Sequence, residues 1–196
     1  QELNPNVAFS DSIQAGIYMK HPRIIRIKAD MVDQMDYDKI LSMYQDRFKD
    51  ASDFTFIFVG NVDVEKMKPV IAEYLGALPA VNRKETFKDN KIEMRQGIYK
   101  NEFTKQQETP KASVFAFYNG DCKYDLRNNL LLSMTSQILD LVYTEKVRED
   151  EGGTYGVYVG GTLQKYPKEK AILQIIFDTA PEKKEKLMKI IFGEID

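Results

Sequence analysis

The stretch Val147-Arg148-Glu149-Asp150-Glu151-Gly152-Gly153-Thr154-Tyr155-Gly156-Val157-Tyr158-Val159-Gly160-Gly161 decides how the chain is read. Upstream of it, Leu130, Leu131, Met134, Ile138, Leu141, Val142 and Val147 recur at near-helical spacing between Asn128 and Arg148. That is the pattern of a long amphipathic helix with Arg148 in its last turn. Gly152 and Gly153 stop the helix, because glycine enters the left-handed backbone region at little steric cost. Thr154 to Thr162 is rich in β-branched and aromatic residues and reads as a strand that returns alongside the helix end. Arg148 and Tyr155 then converge across one tight turn. A guanidinium fork beside a phenol suits a carboxylate, a peptide carbonyl or a developing oxyanion. A plainer role fits the same pair: a cation favoured by the helix dipole, and a core tyrosine. Residue types alone leave both readings open.

Outward from this stretch, Tyr166-Pro167-Lys168-Glu169 makes a turn and Ala171 to Phe177 returns as an apolar strand, closing an antiparallel hairpin. Pro181 opens a final helix whose stripe is Leu187, Ile190 and Ile191. On the other side, Ala112 to Tyr118 is a strand ended by Asn119-Gly120, and it feeds the long helix. Ala80 to about Lys111 is polar and lysine-rich, with one strand expected between Gly97 and Thr104. Further upstream, Asp36 caps a helix with Ile40, Leu41, Tyr44 and Phe48 on one face. Phe54 to Val59 follows as a strand closed by Gly60-Asn61. Asp63 then caps a second helix with Gly76 as its C-terminal glycine and Pro79 just beyond. Residues 1 to 34 are mixed, with Asp11 to Met19 helical and His21-Pro22 ending that helix. Hairpins and single strands alternate with helices without a βαβ rhythm, so the expected class is α+β, with helices packed on an antiparallel or mixed sheet.

The composition bounds the function. At 196 residues the chain has core enough to fold without disulfide or metal. A net charge of -2 and a pI near 5.6 give no global reason to bind nucleic acid or an anionic membrane. No stretch approaches the roughly 20 apolar residues that cross a bilayer, so no membrane insertion is expected. Cys122 is the only cysteine and cannot form an internal disulfide. The start at Gln1 and the stop at Asp196 lead us to expect a piece of a longer protein.

Several chemistries are poorly supplied. A catalytic zinc site takes three protein ligands, and the chain offers one histidine, one cysteine and no His-x-x-Glu-His. His21 reads as a turn residue rather than a ligand. A serine or cysteine nucleophile would need a histidine base, and the only one lies far from the focal stretch. Phe58 to Asp63 lacks the glycines of a dinucleotide fingerprint and the Gly-Lys-Ser/Thr of a P-loop. Glu149-Asp150-Glu151 lacks the spaced ligands of a calcium loop and reads as a solvated turn.

Two segments carry a family resemblance. The first is Met35 to Pro79, with Tyr44-Gln45-Asp46-Arg47-Phe48, Asp53 to Asn61, and Tyr74-Leu75-Gly76-Ala77-Leu78-Pro79. The second is Val114 to Asp196, above all Val147 to Val157. Together they resemble the pitrilysin/insulinase family of zinc metallopeptidases, which includes the mitochondrial processing peptidases. In this family a zinc-bearing N-terminal half is closed by a related C-terminal half, which contributes an arginine and a tyrosine seven residues apart. Arg148 and Tyr155 match that spacing. The resemblance implies that the chain is a C-terminal, non-zinc part of a zinc metalloendopeptidase with processing-peptidase-like architecture, inactive alone. Arg148 and Tyr155 would be its substrate-binding residues, with no catalytic and no metal residue of its own. Zinc, a zinc-activated water and a glutamate base would lie outside the chain, on an N-terminal half or partner subunit.

On this reading residues 1–196 form a single α+β domain: a helix-strand-helix module over 35–79, a connector over 80–112, and a strand-helix-hairpin-helix module over 113–196. Because family members repeat similar domains, the first module is expected to end one repeat and the second to begin the next. Phe54 to Val59 would then join the sheet of Ala171 to Phe177, in one permuted domain or a swapped homodimer. The alternative function is a non-catalytic scaffold or interaction module of the same family, and a nucleotide-binding domain is a more distant rival. Periplasmic family members point to the bacterial periplasm or cell envelope.

Overall fold

The computed structural model describes residues 4–149 and 156–195, and the side chains of Arg148 and Glu149 fall outside that description. In chain order the helices are α1 (Pro5–Ile17), α2 (Ala29–Val32), α3 (Tyr37–Phe48), α4 (Val64–Tyr74), α5 (Leu126–Tyr143) and α6 (Lys184–Gly193). The strands are β1 (Ala112–Asp121), β2 (Val157–Gln164) and β3 (Lys170–Thr179). A π-helical turn, Thr144–Glu149, extends α5, and a 3₁₀ turn, Pro181–Lys183, leads into α6. The class is α+β, as the residue patterns imply. The chain divides into two compact units, Gln1–Ile25 with Lys91–Asp196, and Arg26–Asn90.

The larger unit is built on a three-stranded antiparallel sheet in the order β1-β3-β2. β3 pairs on one side with β1, from Ala112 opposite Thr179 to Asp121 opposite Lys170, and on the other with β2, from Val157 opposite Phe177 to Gln164 opposite Lys170. β1 and β2 therefore run parallel to each other with β3 between them, and α5 makes the crossover of a split β-α-β unit. One face of the sheet meets α5 and α6 in a core of Leu139, Tyr143, Val147, Val157, Val159, Ile175, Phe177, Leu187 and Ile191. The β2–β3 hairpin and the Pro181 start follow the sequence reading. Asn119 and Gly120 do not end β1 as expected; both stay in the ladder, opposite Ile172 and Ala171, because β3 supplies partners that far. Gly97 to Thr104 forms no strand either.

α1 starts earlier than expected, at Pro5, with the Asn4 side chain accepting from Asn6 N–H. Arg95 covers its C-terminus: its backbone N–H donates to Ile17 O at 2.7 Å and its Nε–H to Gly16 O at 2.8 Å.

In the smaller unit, Asp36 and Asp63 cap α3 and α4 by accepting from Lys39 N–H and Lys66 N–H. Gly76 closes α4 through Ile71 O. The strand expected at Phe54 to Val59 is absent. The run has no ladder partner among the described residues, and Ile57 and Val59 stand 80% and 92% exposed. A strand needs a neighbour for its backbone groups, and β-propensity cannot supply one. The single permuted sheet with β3 is therefore not formed here. Asp50 organises this unit instead: its carboxylate accepts from Ser52 N–H, Ser52 Oγ–H, Val81 N–H and Arg83 N–H.

Candidate functional site

The focal stretch sits where α5 ends and β2 begins. Asp125 starts α5 by accepting from Asn128 N–H at 2.8 Å, and the helix then lies along β2. The approach is close enough that a Cβ on Gly161 would stand 2.3 Å from Ser136 Oγ and 2.9 Å from Leu132 Cγ. Only glycine fits there, and this is the physical meaning of Gly161 in the quoted stretch.

The far end of α5 is held tightly. Tyr143 is fully buried and its hydroxyl donates to Ile191 O at 2.9 Å. Burial pushes its phenol pKa up to about 12, with smaller contributions from Tyr118 and Glu194. Val147 is also fully buried, inside the π-helical turn, and Lys146 pairs with Glu194 just after α6. π-helical turns are rare and recur at functional sites. The backbone of Arg148 follows Val147 in this turn, in the last helical turn as the spacing implied.

β2 re-enters the same core at Val157, two residues after Tyr155. Both ends of the intervening segment are thus tied to one cluster, immediately before Arg148 and just after Tyr155. The Arg148 side chain and Tyr155 themselves lie outside the described residues, as do the Gly152-Gly153 stop and Asp150-Glu151.

The remaining sequence candidates have ordinary surroundings. His21 Nδ1 accepts from Arg23 N–H at 3.2 Å, a local turn contact. Cys122 is half-buried, with its Sγ 3.9 Å from Lys123 O. Asp63 at the end of the Phe58 loop is occupied in capping α4. Among the described residues no group of three His, Cys, Asp or Glu is placed to hold a metal, and no helix is long and apolar enough to cross a membrane. Asp50 and Ser136 escaped the sequence reading. Ser52 is a local partner of Asp50, but its other donors, the Val81 and Arg83 amides, lie 31 and 33 positions away, where no sequence pattern points to them.

The model of the peptidase M16 inactive domain matches residues 34–196. The chain belongs to this peptidase M16 family. Its fold is that of solved M16-type proteases. The periplasmic protease PqqL of Escherichia coli superposes with a TM-score of 0.80 at 21% identity, covering 97% of this chain and 21% of that one. A mutant of the ferredoxin protease FusC, in complex with Arabidopsis ferredoxin, superposes with a TM-score of 0.71 at 14% identity, covering 98% and 20%. The M16 chain described here thus spans about a fifth of each solved protease. Among curated protein sequences none matches it.

Proposed function

We propose that this chain is the substrate-holding, non-zinc part of an M16 peptidase that hydrolyses peptides only together with a zinc-bearing half, in the same polypeptide or a partner subunit. The observation that supports this reading is the match to the inactive domain over 34–196, which takes in α5, β2 and the sequence between them with Arg148 and Tyr155. FusC, described as a ferredoxin protease, was solved with a protein bound to it, and a peptide or protein substrate is the class assigned to this chain. The described residues do not fit a zinc site, since catalytic zinc takes three protein ligands and no such group is present among them. The chemistry assigned to this chain on this reading is recognition. The Arg148 guanidinium donates to a substrate carbonyl oxygen and holds it more strongly as negative charge develops there, and the Tyr155 hydroxyl adds a second donor.

In the enzyme assembled with its zinc-bearing half, Arg148→Ala is expected to remove roughly 2 to 4 kcal/mol of transition-state stabilisation, the range for one oxyanion donor. The readout is kcat/KM on a fluorogenic peptide, and an unchanged value removes Arg148 from the reaction. The description of the family domain as inactive also favours a second reading, a scaffold that never touches substrate. Peptide binding separates the two: replacing Arg148 and Tyr155 together weakens it on the first reading and leaves it unchanged on the second.

A further inference from the structure

α5 is apolar on two opposite faces. The inner face, with Leu132, Ser136, Leu139 and Tyr143, lies against the sheet. The outer face carries Leu131, Met134, Ile138 and Leu141, which are 48%, 57%, 56% and 70% exposed. With Arg127 before them and Glu145 after them, these residues alternate at spacings of four and three, the seam of a two-stranded helical contact. Arg127 and Glu145 are both exposed. The seam therefore has a cation at one end, four apolar side chains in the middle and a carboxylate at the other end.

This charge order is self-complementary in one orientation. Turned antiparallel about a point level with Ser136, the seam places Arg127 opposite Glu145, Leu131 opposite Leu141, and Met134 opposite Ile138. A parallel pair would instead set arginine against arginine and glutamate against glutamate. The shallow depression between Leu126, Arg127, Leu130 and Leu131 then receives Leu141 of the other helix as a knob enters a hole. A patch that complements itself across a twofold axis is the requirement for an isologous dimer. The geometry points to a second copy of this chain as the occupant, in a homodimer joined by antiparallel α5 helices. One helix face is less than the about 800 Å² per partner of a standard interface, so association depends on concentration.

The experiment is sedimentation equilibrium on the full chain and three variants across a concentration series, with circular dichroism as the fold control. Arg127→Glu and Glu145→Arg each set like charges against one another across the twofold, and each is expected to weaken association by roughly tenfold or more. The double variant, Arg127→Glu with Glu145→Arg, restores opposite charges and is expected to return to near the original constant. A chain that stays monomeric throughout overturns the proposal and leaves this face to a different partner. So does a dimer indifferent to the single reversals, or a double variant that fails to recover. All four seam ends are solvent-exposed, so the substitutions leave the core untouched.

Discussion

Two strand-prone runs, Ala112 to Asp121 in the larger unit and Phe54 to Val59 in the smaller, have similar composition and opposite fates. The first finds β3 and forms a ten-residue ladder; the second finds no partner among the described residues. The same contrast extends through the units. The larger has nine buried hydrophobic residues in one cluster, drawn from two helices, a π-helical turn and two strands. Among the described residues of the smaller unit only Asp50 is buried, and its apolar side chains touch mainly along a chain of rings, Tyr44 to Phe48, Phe54 and Phe56. One unit is held by excluded water, the other largely by polar contacts, with the Asp50 carboxylate and the Arg83 guanidinium, paired to Asp46 and Glu85, at their centre.

The widest gap is expected from matched truncations. Ile175→Ala, at a site 1% exposed, should cost about 2 to 5 kcal/mol through lost burial and the cavity left behind. Phe56→Ala, 46% exposed, should stay within about 0.5 kcal/mol. Denaturant unfolding of both variants measures the difference, and equal losses would erase the distinction between the units. Next in size is Gly161→Ala, whose methyl has no room beside Ser136 and Leu132; overpacking of this kind costs about 1 to 3 kcal/mol. A shift in melting temperature reports it, and an unchanged value would mean that α5 can lift from β2 freely.

The subtlest test concerns pH. Hydrogen bonds to Asp50, led by that from the Ser52 hydroxyl, hold its pKa well below the usual carboxylate range. A folded-state pKa lower than the unfolded value stabilises the fold above the unfolded pKa, about 3.9, and that stabilisation is lost as pH falls toward the folded value. Backbone amides of Val81 and Arg83 should therefore lose exchange protection below about pH 4, ahead of those in β3. Asp50→Asn should loosen the same amides already at neutral pH. A variant with normal protection would remove Asp50 from its place at the centre of this unit.

What could be read in the sequence was what neighbours along the chain decide. Asp36 and Asp63 announce helix starts because an N-cap acts within three residues, and the Pro167 turn joins β2 to β3 locally. Phe54 to Val59 and Gly97 to Thr104 were misread because a ladder depends on a partner that propensity does not name. The helix of α5 was legible, but the face that packs was not. Of the expected stripe, Leu130, Leu131, Met134, Ile138 and Leu141 are exposed, Val142 is half-buried, and Val147 alone reaches the core. Ser136 and Gly161, small residues with no hydropathic signal, define the face that packs. Of the candidate site, the helical setting of Arg148 was legible from spacing; its convergence with Tyr155 is an expectation from the glycine stop and the returning strand, and the substrate-binding role comes from the family pattern.

The strand order carries a consequence for the birth of the chain. β1 and β2 make no bonds to each other and meet only through β3, which follows both of them in the chain. A nascent chain released before Lys170 has α5 and both outer strands yet no sheet, and the buried face of α5 waits without its floor. β3 is the keystone of the arch, and β1, β2 and α5 are held provisional until it is set.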